Sequence, residues 1–511
     1  MMHVSCSCKS KGFLENSSAQ FGFGYCDWNG LLSAVTNGSG FVVEYMHDIM
    51  DRVTNISWRT TSGATLGGFE YEDDAAGRIV SRRQEIGDPS HPSQMSQLSH
   101  KNYAYDDLGS LTNETVVGVA GTNTIIRHWD SFGRSLGYSL VGRDDPIAPQ
   151  RQSTLAYDSA TGRLASMEVS NNHSPTPTQN SNPFTWNYLH GSDLKSSLTY
   201  PNGLTASWTY DANNQLLQVF NATPTNLISQ YDYTYDPVGR RIARDHSGSA
   251  FDHGDHIDYG YNARSELTNA VATVDSDYRY TYAFDDIGNR ETASERGTNI
   301  CYSANALNQY TSISNLCDSA SLREEFTPQF DDDGNQTLIK TSSGIWAVTY
   351  NGENRPIRWE NGDSVIVMDY DRLGRRLEKN SQYYGYCGYQ QIADNGGNTY
   401  VWDPTEKVTT RPLAWRSDSS LSYYLHDSIK NVSEVISLDY NVVAHYEYGP
   451  FGTVSFVGGP LATANPWRFS SEYADDETMT VYYNYRNYNP TSGRWLGKRW
   501  DASGKHTWHG N

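Results

Sequence analysis

Cysteine is scarce: six in 511 residues, too few and too irregularly placed to form a disulfide framework. Cys6 and Cys8 form a bare C-x-C, and Cys26 and Cys387 are isolated. Cys301 and Cys317 flank CYSANALNQYTSISNLC, which can fold back on itself, so a disulfide there is open. Basic residues are also short, with 39 Lys and Arg against 59 Asp and Glu and a formal charge of −20. That balance excludes nucleic-acid binding through a broad basic surface and is read as an aid to solubility. No apolar run is long enough for a membrane-spanning helix, and the N-terminus lacks the apolar core of a secretory signal. G-x-x-x-x-G-K-[ST], H-E-x-x-H and G-x-S-x-G are all missing, so P-loop, zincin and nucleophile-elbow chemistry have no footing.

Aromatic residues and glycine are plentiful instead. With 37 Tyr and 13 Trp in a chain only 37% hydrophobic, aromatics must carry much of the buried apolar area, and 43 Gly point to many turns. The aromatics recur in a unit whose fullest form is Tyr-x-Tyr-Asp-x-x-Gly-Arg. It reads YMHDIMDR at Tyr45, YAYDDLGS at Tyr103, WDSFGR at Trp129, YDSATGR at Tyr157 and WTYDANNQ at Trp208. It continues as YTYDPVGRR at Tyr233, YGYNARSE at Tyr259, YAFDDIGNR at Tyr282, FDDDGN at Phe330, YNGENR at Tyr350 and YDRLGRR at Tyr370. Copies mostly stand about 20 to 30 residues apart, the period of stacked supersecondary units.

The unit spells a hairpin. Tyr at i and i+2 puts two rings on one strand face, and Asp-x-x-Gly suits a type I turn closed by a left-handed residue. Tyr105, Asp106 and Gly109, then Tyr235, Asp236, Gly239 and Arg240, then Tyr370, Asp371, Gly374 and Arg375 are the motif residues of three full copies. The Arg opens the returning strand, where it can lie across a Tyr face or meet the turn Asp. Isolated hairpins are marginal in water, so the copies must lie side by side in one sheet. Asp51, Asn214 and Ser265 occupy the Gly position in three copies and Asn262 replaces the Asp in another, which weakens those turns without abolishing them. Phe330-Asp331-Asp332-Asp333-Gly334 has consecutive rather than alternate acids and no closing Glu, so it reads as a repeat turn and not a calcium loop. Asn171 to Pro183 and Gly87 to Ser99, rich in Ser, Pro and polar residues, read as surface loops.

Near the C-terminus, Tyr446-Glu447-Tyr448 alternates its rings onto one face before Gly449-Pro450-Phe451-Gly452 turns the chain. Asn489-Pro490-Thr491-Ser492-Gly493 repeats that logic. Tyr424, His426, Asp427, Val432, Pro450, Phe451, Gly452, Tyr485, Arg486, Tyr488, Pro490, Gly493, Arg494 and Trp495 together resemble, in order and spacing, the core segment that closes the array of RHS/YD-repeat proteins, the teneurin-like YD-shell family.

The resemblance implies an all-β fold: an array of YD-repeat hairpins in a spiralling sheet forming part or all of a hollow shell. It divides the chain into an N-terminal segment over 1–40, with room for a partial repeat, an array over 41–400, the core over 401–496 and a divergent or truncated tail over 497–511. It implies a structural shell or carrier of a bacterial polymorphic toxin or cell-surface protein, secreted or surface-located, around a toxin or cargo polypeptide. The alternative is an extracellular module binding glycans or protein through exposed aromatic faces. His426-Asp427 falls where the family has a structural pair. Family members cut themselves after the core at an Arg-Asp-Pro motif. Here the tail reads GKRWDASGKHTWHGN, so the motif is absent and Asp501 is only a weak candidate. No catalytic, metal or cofactor residue is therefore expected, and no toxin domain on this chain. An open N-terminal strand edge is expected to need upstream sequence or a partner to cover it.

Overall fold

The computed structural model describes residues 8–16, 19–26, 30–36, 42–60, 63–88, 91–118, 121–142, 151–171, 182–315, 325–351, 353–371, 374–406, 411–417 and 420–497. Among them the chain is almost wholly antiparallel sheet, a 26-stranded ladder from Cys8 to Phe326, a 14-stranded one from Gln329 to Gly458 and a four-stranded one from Tyr473 to Trp495. Within each sheet every strand pairs with the next in sequence, as Leu227–Tyr235 does with Arg241–Ser247 and that with Asp255–Tyr261. The first two ladders meet at Thr327-Pro328, where proline offers no amide for pairing.

The repeat turn has the form its residues dictate. Gly239 N donates to Asp236 O at 2.9 Å, Asp236 N donates to Arg240 O at 2.9 Å, and the ladder slips between Thr234 and Tyr235. This is a type I turn with a bulge at the left-handed glycine, φ 87°. Asp236 Oδ1 also accepts from Val238 N at 3.1 Å and Arg240 N at 2.9 Å, so the carboxylate holds the loop amides. The copies without glycine keep the geometry: Asp51, Asn214 and Ser265 stand at φ 65°, 64° and 63°. Copies that lack the full aromatic motif fold the same way, at Asp74–Gly77, Asn305–Asn308 and Asp394–Gly397.

The two long ladders wind over each other. Partners across the seam rise together along both coils. Lys195 meets Asp403, Tyr200 OH donates to Tyr424 O, Ser229 Oγ to Glu434, and Tyr278 OH to Tyr448 O. The sheet is thus a spiral, and the turns of the second coil tuck against strands of the first. Asp371, Asp403 and Asp427 are buried, while the turn tips of the first coil face solvent, Leu108 at 79% and Phe132 at 83% exposure. The Tyr-x-Tyr faces are buried where the coils pack: Tyr231 with Tyr233, Tyr278 with Tyr280 and Tyr282, and Tyr446 with Tyr448.

One expectation is corrected. Gly87 to Ser99 is not a loop: Ile79–Asp88 and His91–Tyr105 are strands, with Gly87 opposite Met95 and Glu85 opposite Gln97. Polar composition suggested a loop, but a two-stranded ladder satisfies its backbone groups and continues the array. The ladder begins at Cys8–Asn16, within the segment set apart as 1–40, and places Cys26 opposite Cys8. The 400/401 division falls inside the strand Thr399–Trp402, so the core motif spans two units, the end of the second ladder and the separate small sheet. Cys301 is disulfide-bonded, and Cys317, most of Asn171 to Pro183 and Asp501 lie outside the described residues.

Candidate functional site

Several of the arginines that follow a turn act twice. Arg240 Nε donates to its own Asp236 Oδ2 at 2.6 Å, and Nη1 reaches Asn262 O of the next turn at 3.4 Å. Its guanidinium then lies 5.2 Å from the Tyr261 ring. Arg78 repeats this toward Asp106 O at 3.2 Å and over Tyr105 at 4.8 Å. The tyrosine completes the link, because its hydroxyl donates back to the carbonyl after the previous turn. Tyr105 reaches Ile79 O at 2.9 Å, Tyr235 reaches Leu216 O at 2.8 Å and Tyr370 reaches Pro356 O at 2.9 Å. Where asparagine replaces arginine the link shortens, as Asn335 Nδ2 donates to Asp331 Oδ2 and to Asn354 Oδ1, both at 2.9 Å. Sequence pointed to Asp and Tyr as arginine's partners, but not that they belong to different repeats.

The core residues separate into two places. His426 and Asp427 lie at the seam. Asp427 Oδ1 accepts from Ile429 N at 2.9 Å and Asn431 N at 3.0 Å, and His426 O accepts from Asn221 Nδ2 at 3.3 Å. Burial, followed by the charges of Arg411, Lys195 and Lys430, drives the His426 imidazole well below its ordinary pKa, so it stays neutral. Beside it Glu406 gathers Lys195 at 3.3 Å, Arg411 at 3.3 Å and Lys430 at 3.5 Å. Burial raises the Glu406 carboxyl, but those three cations outweigh it and hold it at about 2.

The second place is the small sheet, which locks onto both coils. Phe451 packs edge-on to Tyr282 at 4.9 Å with the Arg290 guanidinium 4.1 Å from its ring, and Tyr488 OH donates to Phe451 O at 2.9 Å. Gly452 turns Pro450-Phe451 back, its N donating to Gly449 O at 3.0 Å. Arg494 hydrogen-bonds Asn289 and lies 4.4 Å from the Tyr310 ring, while Gly493 N donates to Asn489 O across the buried Pro490. Arg486 stacks on Trp495 at 3.9 Å, and Tyr485 meets Tyr389 at 5.6 Å. Asp475 is fully buried between Arg376 at 2.7 Å and Lys379 at 2.8 Å. Its burial would raise the carboxyl, yet the two cations hold it below the ordinary value. Sequence reasoning missed Glu406, Asp475 and Arg290. An acid inside an aromatic strand, as in Tyr473-Ala474-Asp475, is the signal that could have marked one of them.

Among the described residues no group of three or more His, Cys, Asp or Glu stands close enough to hold a metal. Asp331 Oδ1 accepts from Asn335 N at 2.8 Å and Gly334 N donates to Asp331 O at 2.9 Å, the hydrogen bonds of a repeat turn. No described helix is long and apolar enough to cross a membrane.

Stapled hairpins wound into a spiral and locked by a small sheet define the class: an all-β repeat shell. The fold is shared with the TcdB2-TccC3-Cdc42 crystal structure at TM-score 0.65 and 15% identity, over 95% of this chain and 26% of that one. A Tc holotoxin pore of Photorhabdus luminescens matches at TM-score 0.54 and 13% identity, over 95% and 30%. In sequence the chain is similar to Double-stranded DNA deaminase toxin A of Burkholderia cenocepacia, 22% identical over 507 residues, 89% of this chain and 30% of that protein. It is also similar to tRNA3(Ser)-specific nuclease WapA of Bacillus spizizenii, 25% identical over 239 residues, 42% and 9%. No family model matches the chain. The chain therefore spans less than a third of the length of either relative.

Proposed function

We propose that this chain is the shell or carrier portion of an RHS-type toxin or cell-surface system, secreted or displayed at the surface, that encloses or presents another polypeptide. The observation that carries this reading is where the aromatic faces go. They are buried in packing coil to coil, and several turns are stapled to the next by arginine, an arrangement that suits rigid enclosure rather than an open aromatic groove. By name one sequence relative is a deaminase toxin and the other a tRNA-specific nuclease, and the matched stretch is under a third of each, which suits a part common to proteins with different activities.

On this reading the chain is a scaffold and not an enzyme. Its repeat carboxylates are committed to turn amides and arginines, and the weak candidate Asp501 has no motif around it. Two measurements test it. Small-angle scattering should give a hollow particle, and a cargo polypeptide fused after residue 511 should resist protease while the shell is intact and become sensitive once it is unfolded. A solid or extended particle with freely cleaved cargo would refute the carrier. The purified chain should also keep its 57.3 kDa mass on incubation. Fragmentation lost in Asp501→Asn would make that residue catalytic.

A further inference from the structure

One cluster of buried polar groups serves neither staple nor lock. After the strand Arg241–Ser247 the chain turns at Gly248, and Ala250 N donates to Ile228 O at 3.0 Å, which folds residues 248–254 back over the seam. The Phe251 ring then sits 4.4 Å from His246 and 4.9 Å from His445. These side chains, with the exposed Phe456, line a pocket that opens to solvent.

His246 and His445 are only 7% and 4% exposed, yet His246 Nδ1 and the lining Ser455 Oγ have no hydrogen-bond partner. The His445 nitrogens stand 3.4 Å from Glu434 and 3.6 Å from Glu447, ion-pair distances without hydrogen-bond geometry. Unmet buried polar atoms are costly, and a concave, solvent-open pocket lets a ligand satisfy them.

The charges decide the ligand's class. Asp252, Asp275 and Glu447 line the pocket and oppose an anion, while Asp255 is taken up by four backbone amides, including Val274 N at 2.8 Å and Asp275 N at 2.8 Å. A cation meets Arg296 in the wall and Arg244 behind His246. What remains favoured is a neutral molecule offering donors and acceptors together, with an apolar face for the exposed Phe456 ring. We propose that this pocket binds one uncharged sugar ring, stacked on Phe456 and hydrogen-bonded by His246, Ser455 and Glu447.

The two histidines differ in charge. Burial and the Arg244 charge lower His246 to about 4, leaving a neutral ring whose Nδ1 is unpartnered. Burial lowers His445 too, but Glu434 and Glu447 outweigh it and carry it up to about 9, so it stands as a cation shared between those two carboxylates. The proposal stands apart from the carrier reading, since a shell can enclose cargo with or without a sugar on its wall.

The test is saturation-transfer NMR on the full chain with neutral hexoses and N-acetylhexosamines, and with arginine and a sulfated hexose as charged comparators. A neutral sugar should bind with a Kd on the order of 1 mM. Phe456→Ala and Asp252→Asn, both at exposed positions, should leave the melting temperature unchanged, and the first should weaken binding about tenfold. No transfer to any neutral sugar, preferential binding of a charged comparator, or sugar binding untouched by Phe456→Ala would each overturn the proposal.

Discussion

At the residue scale, identical turn letters carry different weights according to what covers them. Asp130 and Asp371 hold the same arginine position, with Asp130 Oδ2 accepting from Arg134 Nε at 2.7 Å and Asp371 Oδ2 from Arg375 Nε at 2.8 Å. Asp371 and Arg375 are buried under the first coil, whereas Arg134 is partly exposed. Solvent screens an exposed pair, but a buried cation left alone is costly. Asp371→Asn should therefore cost about 3 kcal/mol in urea unfolding, and Asp130→Asn should leave the midpoint nearly unmoved. Backbone sign matters equally. Gly239 sits at φ 87°, and a Cβ there would lie 3.0 Å from Gln215 Nε2, so Gly239→Val should cost about 1 to 2 kcal/mol. The melting curve reads that loss, and an unchanged curve would contradict the turn assignment. Asn214 and Ser265 hold the same conformation because short polar side chains tolerate it better than β-branched ones.

At the scale of elements, the seam is polar where the coils touch, and its charges predict a pH response. The Glu406 carboxyl is depressed to about 2 by Arg411, Lys195 and Lys430 against the opposing effect of burial. A carboxyl depressed in the fold contributes stability that is present above its ordinary value and lost as pH falls toward the folded one. The melting temperature should thus decline between about pH 4.5 and about pH 2 in part through this group. Glu406→Gln should flatten that part of the acid limb while lowering stability near neutrality. A wild-type and mutant pair with parallel acid limbs would remove Glu406 from the account. The staples act at the same scale. An arginine bound to its own turn and lying over the next repeat's tyrosine fixes the spacing of successive hairpins, which backbone pairing alone leaves free to splay.

For the whole molecule, the small sheet at Tyr473–Trp495 closes the arrangement. Gln336 N donates to Leu496 O at 2.9 Å, Asn489 Nδ2 to Lys340 O at 2.9 Å and Tyr482 OH to Gly374 O at 2.9 Å, so one short segment grips several second-coil repeats at once. Asp475 is the charge at its centre. Asp475→Asn would leave Arg376 and Lys379 buried without their shared counter-ion, and the expected loss is about 3 to 5 kcal/mol. Calorimetry should show the whole transition moving as one, because this segment touches strands far apart in sequence. A separate low-temperature transition with the main one unmoved would mean that the sheet is an appendage.

The sequence by itself determined the hairpin. Asp at the turn's first position, a left-handed residue at its fourth and alternate aromatics before it act within a few residues, so neither the turn nor the strand depends on distant context. It also carried the all-β fold, since one unit repeated must stack. Where the local letters were weak the reading failed, as at Gly87 to Ser99, whose polar residues conceal two strands held by ladder partners on either side. Packing of coil on coil settles which turns are buried, which repeat an arginine serves, and that His426 and Phe451, neighbours in one motif, belong to different sites. Those outcomes depend on coil meeting coil, between residues such as Ser229 and Glu434, 205 positions apart. No local pattern records such a pairing, because the pitch of the spiral is set by packing summed over every hairpin in between.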